Sequence, residues 1–416
     1  MVAVELDLVL FPTMTGTAVL YLLLGITLGT CSGLTPGLHA NNFALFLAGI
    51  APLLPGNQLF VGLAMLAAGV VHTFLDAIPA LAIGVPDADM AVAALPGHRM
   101  VLHGRGREAI RLSALGSGIA VLLAIPLAVP ITLAMVEWYP LLQRHMPLIL
   151  GTVAVILLVT ETTRRAMVAG FLSFLVSSVL GLFILDLEPT APIDGGGVLA
   201  PLFAGLFGAP VIIDALGGGG IPRQGKPHLR IRSRAVAIPA AAGSASGAIV
   251  GYLPGVSSAI AAVIALTAVP NDHPDRGFIV ATSGVNTANT IFALFALVAL
   301  GTPRTGVLVA VDQADVPLHL PMMLIAVASA AAAGFILVLL VGDWYLRTMG
   351  AVSYHIVCAV VLSMLIVLSF VFAGPIGIGI FVVSTVIGYI PVRLGCRRVH
   401  LMGVLMGPIM LWTWEY

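Results

Sequence analysis

Residues 25–37 read GITLGTCSGLTPG, and residues 243–255 read GSASGAIVGYLPG. Both carry glycine at every fourth position and close on Pro-Gly: Gly25, Gly29, Gly33, Pro36 and Gly37, then Gly243, Gly247, Gly251, Pro254 and Gly255. Every element is displaced by 218 residues (243 minus 25, 255 minus 37). A second landmark agrees, since Gly84-x-Pro86 recurs as Gly301-x-Pro303, displaced by 217. Two separate landmarks holding nearly one offset indicate a duplication. The chain therefore reads as two homologous repeats, 14–216 and 235–413, joined by a Gly-rich basic linker at 217–234.

Composition decides the solvent. Of 416 residues, 60% are hydrophobic and 9% charged, against about 25% charged in an ordinary soluble chain. So few charges cannot cover the outside of a protein this size, and apolar stretches near the length needed to cross a bilayer recur throughout. An all-α, multi-pass protein of the cell membrane, with lipid around it, is the expectation. Net charge is zero, and no large basic face points to nucleic acid. Cys31, Cys358 and Cys396 are odd in number and far apart, which suggests neither a disulfide framework nor a metal cluster. No H-E-x-x-H or G-x-S-x-G occurs, so a membrane protease or lipase lacks support. No enzyme activity and no cofactor is expected.

The linker holds Gly217 to Gly220, then Arg223, Lys226, Arg230, Arg232 and Arg234 with no acid among them. Its Gly220-x-x-x-x-Gly225-Lys226 nearly matches a nucleotide-binding loop, but Pro227 stands where Ser or Thr must meet the metal. A flexible linker is the better reading. Basic loops prefer the cytoplasm, which puts the linker inside, whereas the start of the chain carries only Glu5 and Asp7. The loop after Gly84-x-Pro86 holds Arg99, Arg105, Arg107 and Arg111, while its counterpart after Gly301-x-Pro303 holds Arg304, Asp312 and Asp315. Equivalent positions lean to opposite sides, the pattern of an inverted-topology repeat with its sites between the copies.

The three spaced glycines of each motif suit close helix packing. Pro36-Gly37 and Pro254-Gly255 differ, because a helix normally stops before X-Pro. A broken or re-entrant helix at membrane depth is tolerated only inside protein or beside a water-filled cavity. Restarting helices at Leu38 and Val256 would aim two partly positive N-termini at one region, which suits an anion. The alternative is an ordinary loop between two spans. Polar neighbours favour the cavity: Thr35, His39, Asn41 and Asn42 in the first copy, Ser257 and Ser258 in the second. Near the second landmark the first copy carries His72 and Asp76 and the second carries the run Asn286-Thr-Ala-Asn289, and the offset sets Asn289 opposite His72. Carboxylate and carboxamide oxygens are hard ligands for a small cation, and ionisable groups inside spans are functional by default. Asp76, Asn286 and Asn289 are thus the candidate coupling-ion site, and Pro36, Gly37, His39, Asn41, Asn42, Pro254, Gly255, Ser257 and Ser258 the candidate substrate site. For Asp76 the alternative is a membrane-edge position.

The repeated G-x-x-x-G-x-x-x-G-x-x-P-G resembles the signature of the large membrane subunit of tripartite tricarboxylate transporters. The stretch from Asn286 to Gly301-Thr302-Pro303 is similar to that family's Asn-rich segment, and Gly84-Val85-Pro86 to Pro96-Gly97-His98-Arg99-Met100 resembles its first-half partner. The chain departs from the pattern at His39-Ala40-Asn41-Asn42, where small residues are usual, and at Arg304, where glycine follows the proline. The resemblance implies an ion-gradient-driven permease for a small organic anion, working with a small membrane subunit and an extracytoplasmic binding protein. Pro254-Gly-Val-Ser-Ser258 is also similar to Pro-Gly-Val-Ser motifs of membrane proteins proposed to flip polyprenyl phosphate. A flippase of a lipid-linked phosphate is therefore the alternative.

Overall fold

The computed structural model describes residues 12–36, 43, 47, 57–84, 94–192, 197–216, 222–226, 233–253, 258–267, 274–349 and 353–412. Helices α1 (Pro12–Leu34), α2 (Gln58–Leu75), α3 (Ala77–Ile83), α4 (Ala94–Leu102) and α5 (Gly106–Arg144) come first. They are followed by α6 (Met146–Val159), α7 (Arg164–Ile184), α8 (Leu199–Phe203) and α9 (Ala209–Ala215). Beyond the linker lie α10 (Arg234–Tyr252), α11 (Ser258–Thr267), α12 (Pro274–Leu300), α13 (Gly306–Gln313), α14 (Leu320–Met349), α15 (Tyr354–Leu394) and α16 (Gly403–Trp412). Among the described residues there is no strand, and eight helical segments are long and apolar enough to cross a membrane.

The helices start and stop where the sequence supplies the chemistry. Asn57 Oδ1 accepts from the Leu59 N–H to cap α2, and Thr163 Oγ1 accepts from the Ala166 N–H to cap α7. Gly84 and Gly301 close α3 and α12 at φ 70° and 64°, a left-handed conformation that glycine adopts without a Cβ penalty. The sequence divides 353–392 at Gly374, and the structure kinks α15 there (φ 61°, ψ −154°), just before Pro375. The path of α2 continues through α3 to Ile83, interrupted only at Asp76, and the stretch after Gly301-x-Pro303, expected as a loop, contains the short buried α13.

The α2–α3 segment and α12 form the centre of the molecule. Their most apolar windows are 89% and 78% buried, against 28% for α5 and 33% for α14. The outer helices turn Leu122, Leu133, Ile325 and Leu340 outward, each at least 66% exposed, as lipid-facing side chains should be.

The glycine motifs seat the inner helices. A Cβ on Gly25 would run into the Ala64 carbonyl oxygen, one on Gly29 into that of Ala68, and one on Gly33 into Leu75. In the second motif Gly243, Gly247 and Gly251 meet Ala281, Val285 and Phe292 in the same way. The partners are 217 residues apart (281 minus 64, 292 minus 75), so the two landmark offsets of the sequence reappear as contacts. Because partner numbers rise together, α1 runs parallel to α2, and α10 parallel to α12.

Those registers also fix where the two glycine helices end. Helix α10 ends level with Phe292, eight residues short of the end of α12 at Leu300, or about 12 Å at 1.5 Å per residue. Helix α1 ends level with Leu75 and Asp76, while α3 runs on to Ile83. Helix α10 thus stops short of the end of α12, and α1 stops at the α2–α3 junction, short of the end of that segment.

Candidate functional site

Helices α2 and α12 pass each other antiparallel. The Gly97 position lies between Leu81 and Ile279, and further along Thr73 Oγ1 donates to Thr287 Oγ1 at 3.3 Å. Between these points Asn286 Nδ2 donates to Asp76 Oδ2 at 2.7 Å. Both residues are buried, Asp76 at 6% exposure and Asn286 at 3%, so this is a hydrogen bond to a carboxyl group deep in the protein. Such bonds are shorter and stronger than neutral ones when the acceptor is ionised. Asp76 is thus an interior residue of the protein.

A polar seam extends from this pair. His72 lies one helical turn before Asp76 and shares a 2.9 Å hydrogen bond between its Nδ1 and Ser32 Oγ. The phenyl ring of Phe43 stacks on the His72 imidazole. On the α12 side, Ser283 Oγ bonds Ser113 Oγ at 2.8 Å, and Ser117 Oγ donates to the Ser283 carbonyl. A Cβ on Gly33 would lie 3.0 Å from the His72 carbonyl oxygen and 3.2 Å from the Asp76 nitrogen, so the end of α1 packs against α2 at His72 and Asp76. Pro36, in the turn after α1, follows three residues later.

The structure joins Asp76 and Asn286, but no hydrogen bond joins Asn289 to them. Asn289 lies one turn further on α12, beside Gly247, and its buried Oδ1 has no partner among the described residues. Ser258 opens α11 with its side chain fully buried, and its Oγ likewise has no partner; the same holds for Ser244 on α10. Gly37, His39, Asn41, Asn42, Pro254, Gly255 and Ser257 lie outside the described residues. Ser32, Ser113, Ser117 and Ser244 were missed from the sequence. Their signal was available as serines recurring within apolar helices, Ser113 and Ser117 at four-residue spacing.

With this arrangement in view, comparison with known proteins is decisive. Residues 19–403 match the family described as tripartite tricarboxylate transporter TctA. The chain belongs to that family. A relative from Methanocaldococcus jannaschii, itself described only as an uncharacterized protein, is 27% identical over 413 residues, covering 94% of this chain and 98% of that one. No solved structure matches the chain. This TctA-family member is therefore a multi-pass membrane protein of a transporter family, with its buried carboxyl group at the crossing of α2 and α12.

Charged residues gather away from that crossing. Glu108, at the start of α5, accepts from Arg105 Nε and Nη2 at 3.0 Å and forms an ion pair with Arg276 of α12, Nε to Oε1 2.8 Å. Arg99 pairs with Asp275, and Arg107 lies 3.6 Å from Asp343. The linker docks here too, because Gln224 accepts from the Gly106 N–H and donates to the Val101 carbonyl, and the Gly225 N–H donates to Gly104. Residues 301–316 occupy the other end. Val307 and Val316 fill the space over Gly69 and Gly62, and the 27 residues of α12 separate this end from the linker.

Proposed function

We propose that this chain is a secondary active transporter of a small organic anion, a di- or tricarboxylate, coupled to a sodium or proton gradient. The carrying observation is the Asp76–Asn286 pair, a carboxyl group buried where two central helices cross and level with the stop of α1. A carboxylate held there without a role is costly, and a carboxylate plus carboxamide oxygens suit a small hard cation. Asp76, Asn286 and Asn289 are the proposed coupling-ion residues. Pro36, Gly37, His39, Asn41, Asn42, Pro254, Gly255, Ser257 and Ser258 are the proposed substrate residues. The early stops of α1 and α10 support breaks at depth over ordinary loops, and the buried, unpartnered Ser258 hydroxyl at the start of α11 supplies a donor beside the second break.

We further propose that the two halves, 14–216 and 235–413, are inverted copies. Support comes from the recurring glycine contacts and from the antiparallel course of α2 against α12. It comes also from α5 against α14, where Gly118 meets Phe335 and Gly342 meets Ile110. On this reading the linker is cytoplasmic and residues 312–316 face outside. In a cysteine-free background, Lys226→Cys and Gln313→Cys, both at exposed positions, should react with an impermeant reagent from opposite sides. Equal labelling from one side would sink the inverted arrangement. The family name supports two partners for the working system, a small membrane subunit and an extracytoplasmic binding protein.

The test of function uses purified protein in liposomes. A tricarboxylate should accumulate only under an imposed sodium or proton gradient. Gly37→Leu and Gly255→Leu should abolish uptake while leaving folded protein in the membrane, because a side chain there blocks close approach of backbone to the anion. Movement of labelled polyprenyl phosphate between leaflets, with no carboxylate carried under any gradient, would replace this reading with the flippase.

A further inference from the structure

The segment that joins α12 to α13 carries an arginine where charge is poorly accommodated. Arg304 follows the Gly301-Thr302-Pro303 turn, and its guanidinium lies over the Tyr139 ring, 5.2 Å from the centroid. Elsewhere Arg276 pairs with the buried Glu108, and Arg397, after α15, pairs with the buried Glu161 between α6 and α7. Among the described residues no carboxylate lies within 4.0 Å of Arg304. Its Nε is buried and donates to nothing, and burial pushes the guanidinium pKa down with no opposing contact.

Its neighbours are in the same condition. The hydroxyls of Thr302 and Thr305 are buried without partners. Thr305 precedes α13 as its capping residue, yet its side chain does not cap the helix. Three polar groups within four residues are thus withdrawn from water without the hydrogen bonds that normally accompany burial. All three can donate, and a guanidinium partly withdrawn from water, with its Nε buried, is stabilised by an anion that pairs with it. The Tyr139 face, which attracts a cation, holds the guanidinium plane while leaving its edge for a planar oxyanion.

We propose that residues 302–305 form an oxyanion site at the end of the protein remote from the linker. Arg304 pairs there with an oxyanion, and the Thr302 and Thr305 hydroxyls donate to it. The ligand is either one carboxylate of a soluble di- or tricarboxylate or the phosphate of a lipid headgroup. The site is separate from the α2–α12 crossing, since α12 runs eleven residues from Asn289 to Leu300 before the turn, about 16 Å at helical rise. It does not depend on the transport reading, because occupancy is measured without any gradient.

The experiment titrates the purified full-length chain in detergent with citrate and with inorganic phosphate by calorimetry. Arg304→Gln should weaken binding about tenfold or more, the loss expected for a charge-assisted hydrogen bond. Arg304→Lys, which keeps the charge but not the fork, should fall between. The double variant Thr302→Val with Thr305→Val should show a smaller loss, and it decides the matter together with Arg304→Lys if Arg304→Gln does not fold. The Arg304-dependent component should persist in Gly255→Leu, so loss of a central site and loss of this one are read separately. A lipid arm uses nanodiscs of phosphatidylglycerol or phosphatidylcholine. Retention of phosphatidylglycerol by the wild type but not by Arg304→Gln would assign the phosphate source. Equal binding of citrate, phosphate and phosphatidylglycerol by wild type and all variants would overturn the proposal.

Discussion

Asp76→Asn should cut cation-driven uptake in proteoliposomes by about tenfold to a hundredfold, the scale of losing a hydrogen-bonded charge from a buried site. The substitution tests charge and little else. Asparagine has the shape of aspartate, and its carboxamide oxygen can still accept from Asn286 Nδ2, the 2.7 Å contact that joins α2 to α12. The protein should therefore fold and reach the membrane. What disappears is the negative charge that would hold the cation near the substrate anion, where the two neutralise each other in a low-dielectric site. The loss should accordingly lie in the cation requirement. Half-saturation by sodium or proton should rise, or the dependence vanish, while anion affinity at saturating cation changes less. Asn289→Ala should act in the same direction and more weakly, as a neutral ligand removed. A cation-activation curve for Asp76→Asn that overlays the wild type would remove Asp76 from the coupling site.

How much of this was legible beforehand depends on the range of each interaction. The glycine spacing is local, so its reading as close packing survives residue by residue, down to the same partners in each half. Gly84, Gly301 and Gly374 mark breaks that glycine conformation alone requires. Asp76 could be singled out because a carboxyl group in an apolar run is conspicuous. Asn286 and Asn289 could be named beside it as amides of the matching run, but which of the two meets Asp76 could not, since they are equally amidic and lie 210 residues or more away. The offset set Asn289 opposite His72, whereas the antiparallel crossing brings Asn286 to Asp76 and leaves His72 to Ser32. Offsets report equivalence, not contact. Arg304 was visible as a departure from the family pattern, but its lack of a counter-ion is a fact of three dimensions. Glu161 was invisible, because in the polar run Thr160-Glu-Thr-Thr-Arg164 it reads as an ordinary turn between two spans.

That turn yields the largest expected effect on stability. Glu161, between α6 and α7, is 4% exposed and gathers the segment that follows α15. Its Oε1 accepts from the Arg397 N–H at 3.0 Å, from Arg397 Nε at 3.1 Å and from His400 Nε2 at 2.8 Å. Arg397 reaches on to the Leu157 carbonyl and Thr160 Oγ1. Cys396 lies alongside, its thiol against Ser173. Burial works against the Glu161 carboxylate, but the Arg397 N–H, the His400 bond and the Arg397 charge outweigh it and hold its pKa below the usual carboxylate range. Glu161→Gln should cost about 3 kcal/mol, the low end for breaking a buried pair, because Arg397 keeps 30% exposure. The sign of the pH dependence follows from the lowered pKa. The stabilisation is fully present above the unfolded carboxylate pKa of about 4.3 and is lost as pH falls through the lower, folded value. The gap in unfolding midpoint between wild type and Glu161→Gln should therefore persist from neutral pH to about pH 5, varying only as His400, whose proton Glu161 helps to hold, titrates, and close in stronger acid. Uptake per folded molecule should be unchanged, as none of the hydrogen bonds of Glu161, Arg397 and His400 among the described residues reaches α2 or α12. Equal midpoints for the two proteins at neutral pH would show that the junction contributes nothing, whatever its geometry.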